Sequence, residues 1–180
     1  MIGKRITGRL PGVNINAEGE QQARCLVRLA ADVIVSSPME RAIQTATPLA
    51  EHLSLPIQID GAFSEVDFGE WSGKTIPELL AIPEWKLFNQ FRSSVRLPGG
   101  ESMLDVQRRV SEGLSRLSKV YSEKTVAVFS HADVIKAAVS HYAGAPIDLM
   151  DRIEIHPASV TRIQLFDWGP KISSVNERCP

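Results

Sequence analysis

The chain has 180 residues, 43% of them apolar and 23% charged, and its 20 basic and 21 acidic side chains leave a net charge of -1. That length and mixture fit one globular domain with its own core and exclude disorder, collagen and coiled coil. The balanced charge offers no footprint for a nucleic-acid backbone or an anionic membrane, no apolar run approaches the roughly 18 residues of a membrane helix, and the amino terminus has no secretory pattern, so a cytoplasmic location is expected.

In chain order, "NAEGEQQARCLVRLAA" (16–31) has a helical pattern with Asn16 as its cap, and "DVIVSS" (32–37) is a short β-branched strand. The strand passes directly into "SPMERAIQTATPLAEHL". Here Ser37, Pro38 and Glu40 occupy the cap, first-turn and capping-box positions of a helix. "IQID" (57–60) is strand-like, and residues 63–102 form a long excursion rich in Gly, Pro and aromatics, of the kind that covers or shapes a site. Residues 66–100 of it read as a cap-like insertion within a single domain of residues 1–180. "GESMLDVQRRVSEGLSRLSKVY" (100–121) is an amphipathic helix whose apolar face takes in Leu104, Val110, Leu114, Leu117 and Tyr121. "TVAVFS" then feeds the helix "HADVIKAAVSHYAG", stopped by Gly144 and Pro146, and "SVTRIQLFD" and "KISSV" around "WGP" form a closing hairpin. Strand alternating with helix predicts an α/β fold with a mostly parallel sheet covered on both faces. Cys25 and Cys179 are too few for a disulfide scaffold and lack zinc spacing; Cys25 reads as a small core residue and Cys179 as part of the tail. No metal site is expected.

Ligands of open parallel sheets bind beyond the carboxyl ends of the strands. Three polar residues gather there: Arg41, one turn into the helix after the first strand; Glu65, after "IQID"; and His131, at the tip of "TVAVFS". Singly each has an ordinary explanation, as a surface charge, a loop carboxylate or a hydrogen-bonded structural histidine. Together they suit an anion. A helix amino terminus and an arginine fork bind anionic oxygens, a carboxyl group serves as general acid, and an imidazole can be held cationic by the anion or carry a proton.

"SSPMERAIQTA", "SEVDFGEWSGKT", "PGGES" and "VAVFSHADVIKAA", in this order and spacing, resemble the histidine phosphatase superfamily, in its branch of phosphoglycerate mutases and bacterial phosphatases. "GKRITGRLPGVNINAEGEQQA" is similar to the stretch that follows that family's first motif, so the resemblance runs over essentially the whole chain. It implies a phosphoglycerate mutase-like three-layer α/β/α sandwich and a phosphomonoester hydrolase working through a phosphohistidine, with a small-molecule substrate and no cofactor. Arg41 would be the second phosphate-binding arginine, Glu65 the proton donor and His131 the phosphate-stabilising histidine. Arg5, Thr7 and Gly8 would lie near the substrate phosphate, and Arg92 and Arg96 would face the rest of the substrate. The short segment from 72 to 100 favours phosphatase over mutase by family analogy. Ala132 stands where the family commonly has Gly, and its methyl group is expected to tighten the pocket. The family's attacking histidine sits in an Arg-His-Gly motif on a first, central strand, and that motif does not occur in these 180 residues. The expectation is a chain given without that strand, or a catalytically inactive phosphate-binding protein on the same fold. His52, His141 and His156 do not follow a strand and are expected to be structural or exposed.

Overall fold

The computed structural model describes residues 5–178. Three short parallel strands, β1 (Val33–Ser36), β2 (Ile57–Ile59) and β3 (Val126–Phe129), lie in the order β2-β1-β3. β1 is paired on both sides and all four of its residues are buried. Successive residues of a strand face opposite sides, and the core divides accordingly. Val33 and Val35 pack with Val106, Val110, Val134 and Ala137, whereas Ile34 packs with Leu26, Ala46, Leu49 and Phe129. One face is therefore covered by α1 (Ala17–Cys25) and α2 (Glu40–Leu53), the other by α5 (Met103–Val120) and α6 (Ala132–Tyr142). This is the expected three-layer α/β/α sandwich. β4 (Val160–Phe166) and β5 (Gly169–Glu177) form the predicted antiparallel hairpin as a separate two-stranded sheet.

Local chemistry explains the helix starts. Asn16 accepts from the N–H of Gly19 at 2.8 Å, and Ser102 forms a capping box with Asp105 ahead of α5. At α2 the expectation fails. The helix begins at Glu40 behind Met39, because the Ser37 hydroxyl is turned inward to His131 and Glu40 accepts instead from the N–H of Gly12. Of the expected face of α5, Val110 and Leu117 are buried and Leu114 and Tyr121 pack against the core, whereas Leu104 is exposed; Met103, Val106 and Gly113 complete the buried stripe. Cys25 is exposed rather than part of the core, since it lies on the solvent side of α1, whose buried residue is Ala23. Cys179 lies outside the described residues.

The excursion from 66 to 100 carries α3 (Ile76–Leu80) and α4 (Pro83–Gln90), and packs Phe68, Trp71, Leu79, Phe88, Val95 and Leu97 into the same core as β1. Its two ends are stitched together. The N–H of Glu70 donates to Pro98 and that of Glu101 to Asp67. The approach is too close for side chains: a Cβ on Gly100 would lie 2.3 Å from the Asp67 carbonyl oxygen, and one on Gly69 would lie 2.1 Å from that of Pro98.

Candidate active site

α2 and α6 both start where a parallel strand ends, so their N–H groups and positive dipole ends face one region beyond β1 and β3. Arg41, the second residue of α2, and His131, the cap position of α6, are delivered there by the helices. Glu65 comes from the irregular segment after the turn at Gly61–Phe63, itself capped by Asp60.

The three meet. Glu65 Oε2 lies 3.5 Å from Arg41 Nη2 and 3.6 Å from His131 Nδ1. Glu65 Oε1 accepts from the N–H of Val66 at 2.9 Å. Arg41 Nη2 donates to the carbonyl of Gly8 at 2.9 Å, which joins the 7–8 turn to the group. Gly8 is buried there with φ +48, a left-handed conformation suited to glycine, and Thr7 precedes it half-buried. Arg41 Nη1 is buried and has no acceptor among the described residues. Buried N–H groups are nearly always satisfied, so this nitrogen marks where an anionic oxygen fits.

Ser37 ends the β1 segment with its Oγ 2.8 Å from His131 Nε2. That Oγ also accepts from the N–H of Met39, and the Ser37 bond to Nε2 leaves Nδ1 facing Glu65. Serine, histidine and acid thus stand in the order of a hydrolytic triad, but Ser37 is completely buried and cannot meet a substrate. It orients the ring.

Burial pushes the His131 pKa down to about 3, and the charges of Arg41, Arg109 and Arg9 push the same way. The imidazole is therefore neutral at neutral pH, and a cationic state requires the arrival of an anion. Burial raises the Glu65 pKa to about 7, reinforced by Asp133 and opposed by the Val66 hydrogen bond and by Arg41 and Arg109. A carboxyl group that keeps its proton near neutrality, beside an unfilled guanidinium nitrogen, can protonate the leaving oxygen of a bound phosphate ester.

Arg5 is not brought to this group. It is exposed and donates to the carbonyl of Gly73 at 3.0 Å. Arg92 and Arg96 are also engaged elsewhere. Arg92 is buried over the Phe88 ring and paired with Asp151 at 2.8 Å, and Arg96 is paired with Asp105, so both brace the excursion. Ala132 is the first residue of α6 and is exposed. His52 and His141 lie exposed in the last turns of α2 and α6, at the far ends from the site, and His156 precedes β4. Among the described residues, no group of three or more His, Cys, Asp or Glu could hold a metal ion.

Sequence reasoning read Ser37 as a helix cap and missed its bond to His131. It also missed Asp133, although that residue stands two positions after His131 in the first turn of α6.

The family model for the histidine phosphatase superfamily (branch 1) matches residues 3–178. A bifunctional protein of Mycobacterium tuberculosis is 34% identical over 147 residues, covering 80% of this chain and 40% of the relative; the chain thus spans less than half the length of that protein. Phosphoserine phosphatase 1 of Hydrogenobacter thermophilus is 29% identical over 181 residues, covering 96% of this chain and 86% of the relative. Among solved structures, a mycobacterial glucosyl-3-phosphoglycerate phosphatase superposes with a TM-score of 0.87 at 22% identity, covering 98% of this chain and 92% of that one, which shows a shared fold.

Proposed function

The chain belongs to the histidine phosphatase superfamily, and from that premise we propose that it is the phosphate-binding and proton-donating part of a small-molecule phosphomonoester hydrolase. In this reading the unfilled Arg41 Nη1 and the helix amino terminus at His131 hold the phosphoryl oxygens. A histidine nitrogen attacks phosphorus, the ester P–O bond breaks, and Glu65 gives its proton to the leaving oxygen. Water then attacks the phosphohistidine, the P–N bond breaks, and the Glu65 carboxylate takes the proton back. Neutral His131 gains a proton, or strengthens its hydrogen bond, as negative charge accumulates beside it.

The observation that carries the reading is the half-buried Glu65 carboxyl, pushed up to about 7, within 3.6 Å of both Arg41 and His131. The phosphatase names among the relatives support the reaction class.

In this reading none of the four histidines is the attacking one: His52 and His141 lie exposed at the far ends of α2 and α6, His156 precedes β4, and His131 is buried with Nε2 bonded to Ser37 and Nδ1 facing Glu65. We assign it to the family's Arg-His-Gly strand, outside these 180 residues. Support comes from β3, which is paired with β1 alone among the described strands and is half-exposed at Val126, Ala127 and Val128 despite being apolar. A further strand would cover that flank. The same placement favours a second reading, in which the chain binds phosphate esters without turning them over.

Calorimetric titration of the 180-residue chain with inorganic phosphate, together with a p-nitrophenyl phosphate assay, tests both. The expected result is phosphate binding weakened at least about tenfold, or 1.4 kcal/mol, by Arg41→Ala, the loss of one charge-assisted contact. Turnover sensitive to Arg41→Ala would put the nucleophile within the chain and overturn its assignment elsewhere. No binding at any pH would sink both readings.

A further inference from the structure

Glu101 touches neither Arg41 nor His131, yet it reaches the groups that hold the acid. Its Oε1 accepts from Arg109 Nε at 2.9 Å; its Oε2 accepts from Arg109 Nη2 at 3.1 Å, from Arg9 Nη2 at 2.9 Å and from the N–H of Asp67 at 3.0 Å. These four donors use the lone-pair capacity of a carboxylate. Arg9 Nη1 faces Asp67 Oδ2 at 3.6 Å, and both arginines also donate to the main chain beside the acid. Arg9 Nε donates to the carbonyl of Glu65 at 2.8 Å and Arg109 Nη2 to the same oxygen at 3.2 Å, while Arg109 Nη1 donates to the carbonyl of Ala62 at 2.8 Å. The carbonyl of residue 65 therefore accepts from two cations, and one carboxylate fixes both.

We infer that Glu101 is a positioning residue for Glu65: through Arg9 and Arg109 it fixes the main chain at residue 65, and with it the place of the acid's carboxyl group relative to Arg41 and His131. The inference rests on Glu65 being the acid of the proposed function. The simpler role, closing the neck of the 66–100 excursion, explains the Asp67 bond but not the two guanidinium groups spent on the Glu65 carbonyl. Residues 9, 101 and 109 come from a loop, the residue before the cap of α5 and the second turn of that helix. The side chains of Glu101 and Arg109 are only 19% and 17% exposed, so these charge-assisted bonds are poorly screened by water.

The groups that face Glu65 are Arg41 from α2, His131 and Asp133 from the start of α6, Arg109 from α5 and Arg9 from the 7–9 turn. Without the Glu101 charge, the two arginines attract the Glu65 carboxylate uncompensated, and a loosened main chain admits water. Both effects favour the ionised form.

The test is a carbon-13 NMR titration of the glutamate carboxyl carbons in the full 180-residue chain, with the Glu65 signal assigned by its loss in Glu65→Gln. Glu101→Gln should weaken proton binding at Glu65 at least tenfold. Arg116→Gln, which removes a separate α5 ion pair with Asp60, should leave it unchanged. An unchanged or strengthened protonation constant in folded Glu101→Gln overturns the inference. Should that variant fail to fold, Arg109→Lys, which keeps a cation but loses the fork, decides by the same readout in the same direction. Failure of the underlying reading looks different: wild-type Glu65 would itself titrate near its ordinary value of 4.5.

Discussion

A carboxyl group that titrates near neutrality stabilises the fold in one pH range and strains it in another. Glu65 is raised from 4.5 to about 7, so the folded chain holds a proton there that the unfolded chain has already released. Its favourable contribution is complete below about pH 4.5 and is lost as pH rises through 7. His131, lowered from 6.5 to about 3, acts in the opposite sense: stability is present above 6.5 and falls as pH drops toward 3. Urea midpoints at about pH 8 should rise in Glu65→Gln by the equivalent of about 1 to 3 kcal/mol, with little change at about pH 5. His131→Asn should flatten the acid side of the profile. The meeting of Arg41, Glu65 and His131 was legible in the sequence because two follow apolar β-branched runs into helix starts and the third follows the strand-like "IQID". Arg9, Glu101 and Arg109 were not, since residues that lie 92 and 8 positions apart and meet through side-chain forks leave no periodic trace.

Elements are placed by a few contacts that tolerate no extra atom. Gly113 lets α5 press on the turn at 61–63, where a Cβ would stand 2.8 Å from that of Ala62. Gly100 lets the 97–101 segment cross Asp67. Gly100→Ala should cost about 2 to 3 kcal/mol in chemical denaturation, because the backbone must move and the Glu101 bonds beside it with it. Gly144→Ala should cost much less: its positive φ is strained for alanine, but a Cβ there meets nothing. Most elements were visible in the sequence. The α2 start and the place of Leu104 were not, because a tertiary partner, His131, outcompeted the local cap at Ser37, and because Met103 takes the buried position at the start of α5 in place of Leu104. A cap without such a competitor, Asn16, was read correctly.

At the scale of the whole molecule the alternation of strand and helix predicted the three layers and the stretch around "WGP" the hairpin, while the strand order β2-β1-β3 and the separation of the hairpin from that sheet had no sequence signal. Pairing is a tertiary choice that a strand's own residues do not encode. The strand order has a measurable consequence. In native-state hydrogen exchange, β1, bonded on both sides and fully buried, should exchange at least about tenfold more slowly than β3, which is half-exposed and paired with β1 alone among the described strands. Equal protection would show that the β3 flank is covered. The stitched neck of the excursion bears on a different matter, how such a protein changes over time. Residues 68 to 100 leave and rejoin the chain at adjacent points, bound to each other at Glu70–Pro98 and Asp67–Glu101, and Arg92 and Ser93 fasten the outer part to Asp151 and Asp148. The acid lies just outside that neck. Because both ends of the segment are tied at one neck, changes of length in its outer part, around α3 and α4, are expected to leave Glu65, Arg41 and His131 in place, provided that the buried Phe68, Trp71, Leu79, Phe88, Val95 and Leu97 are kept.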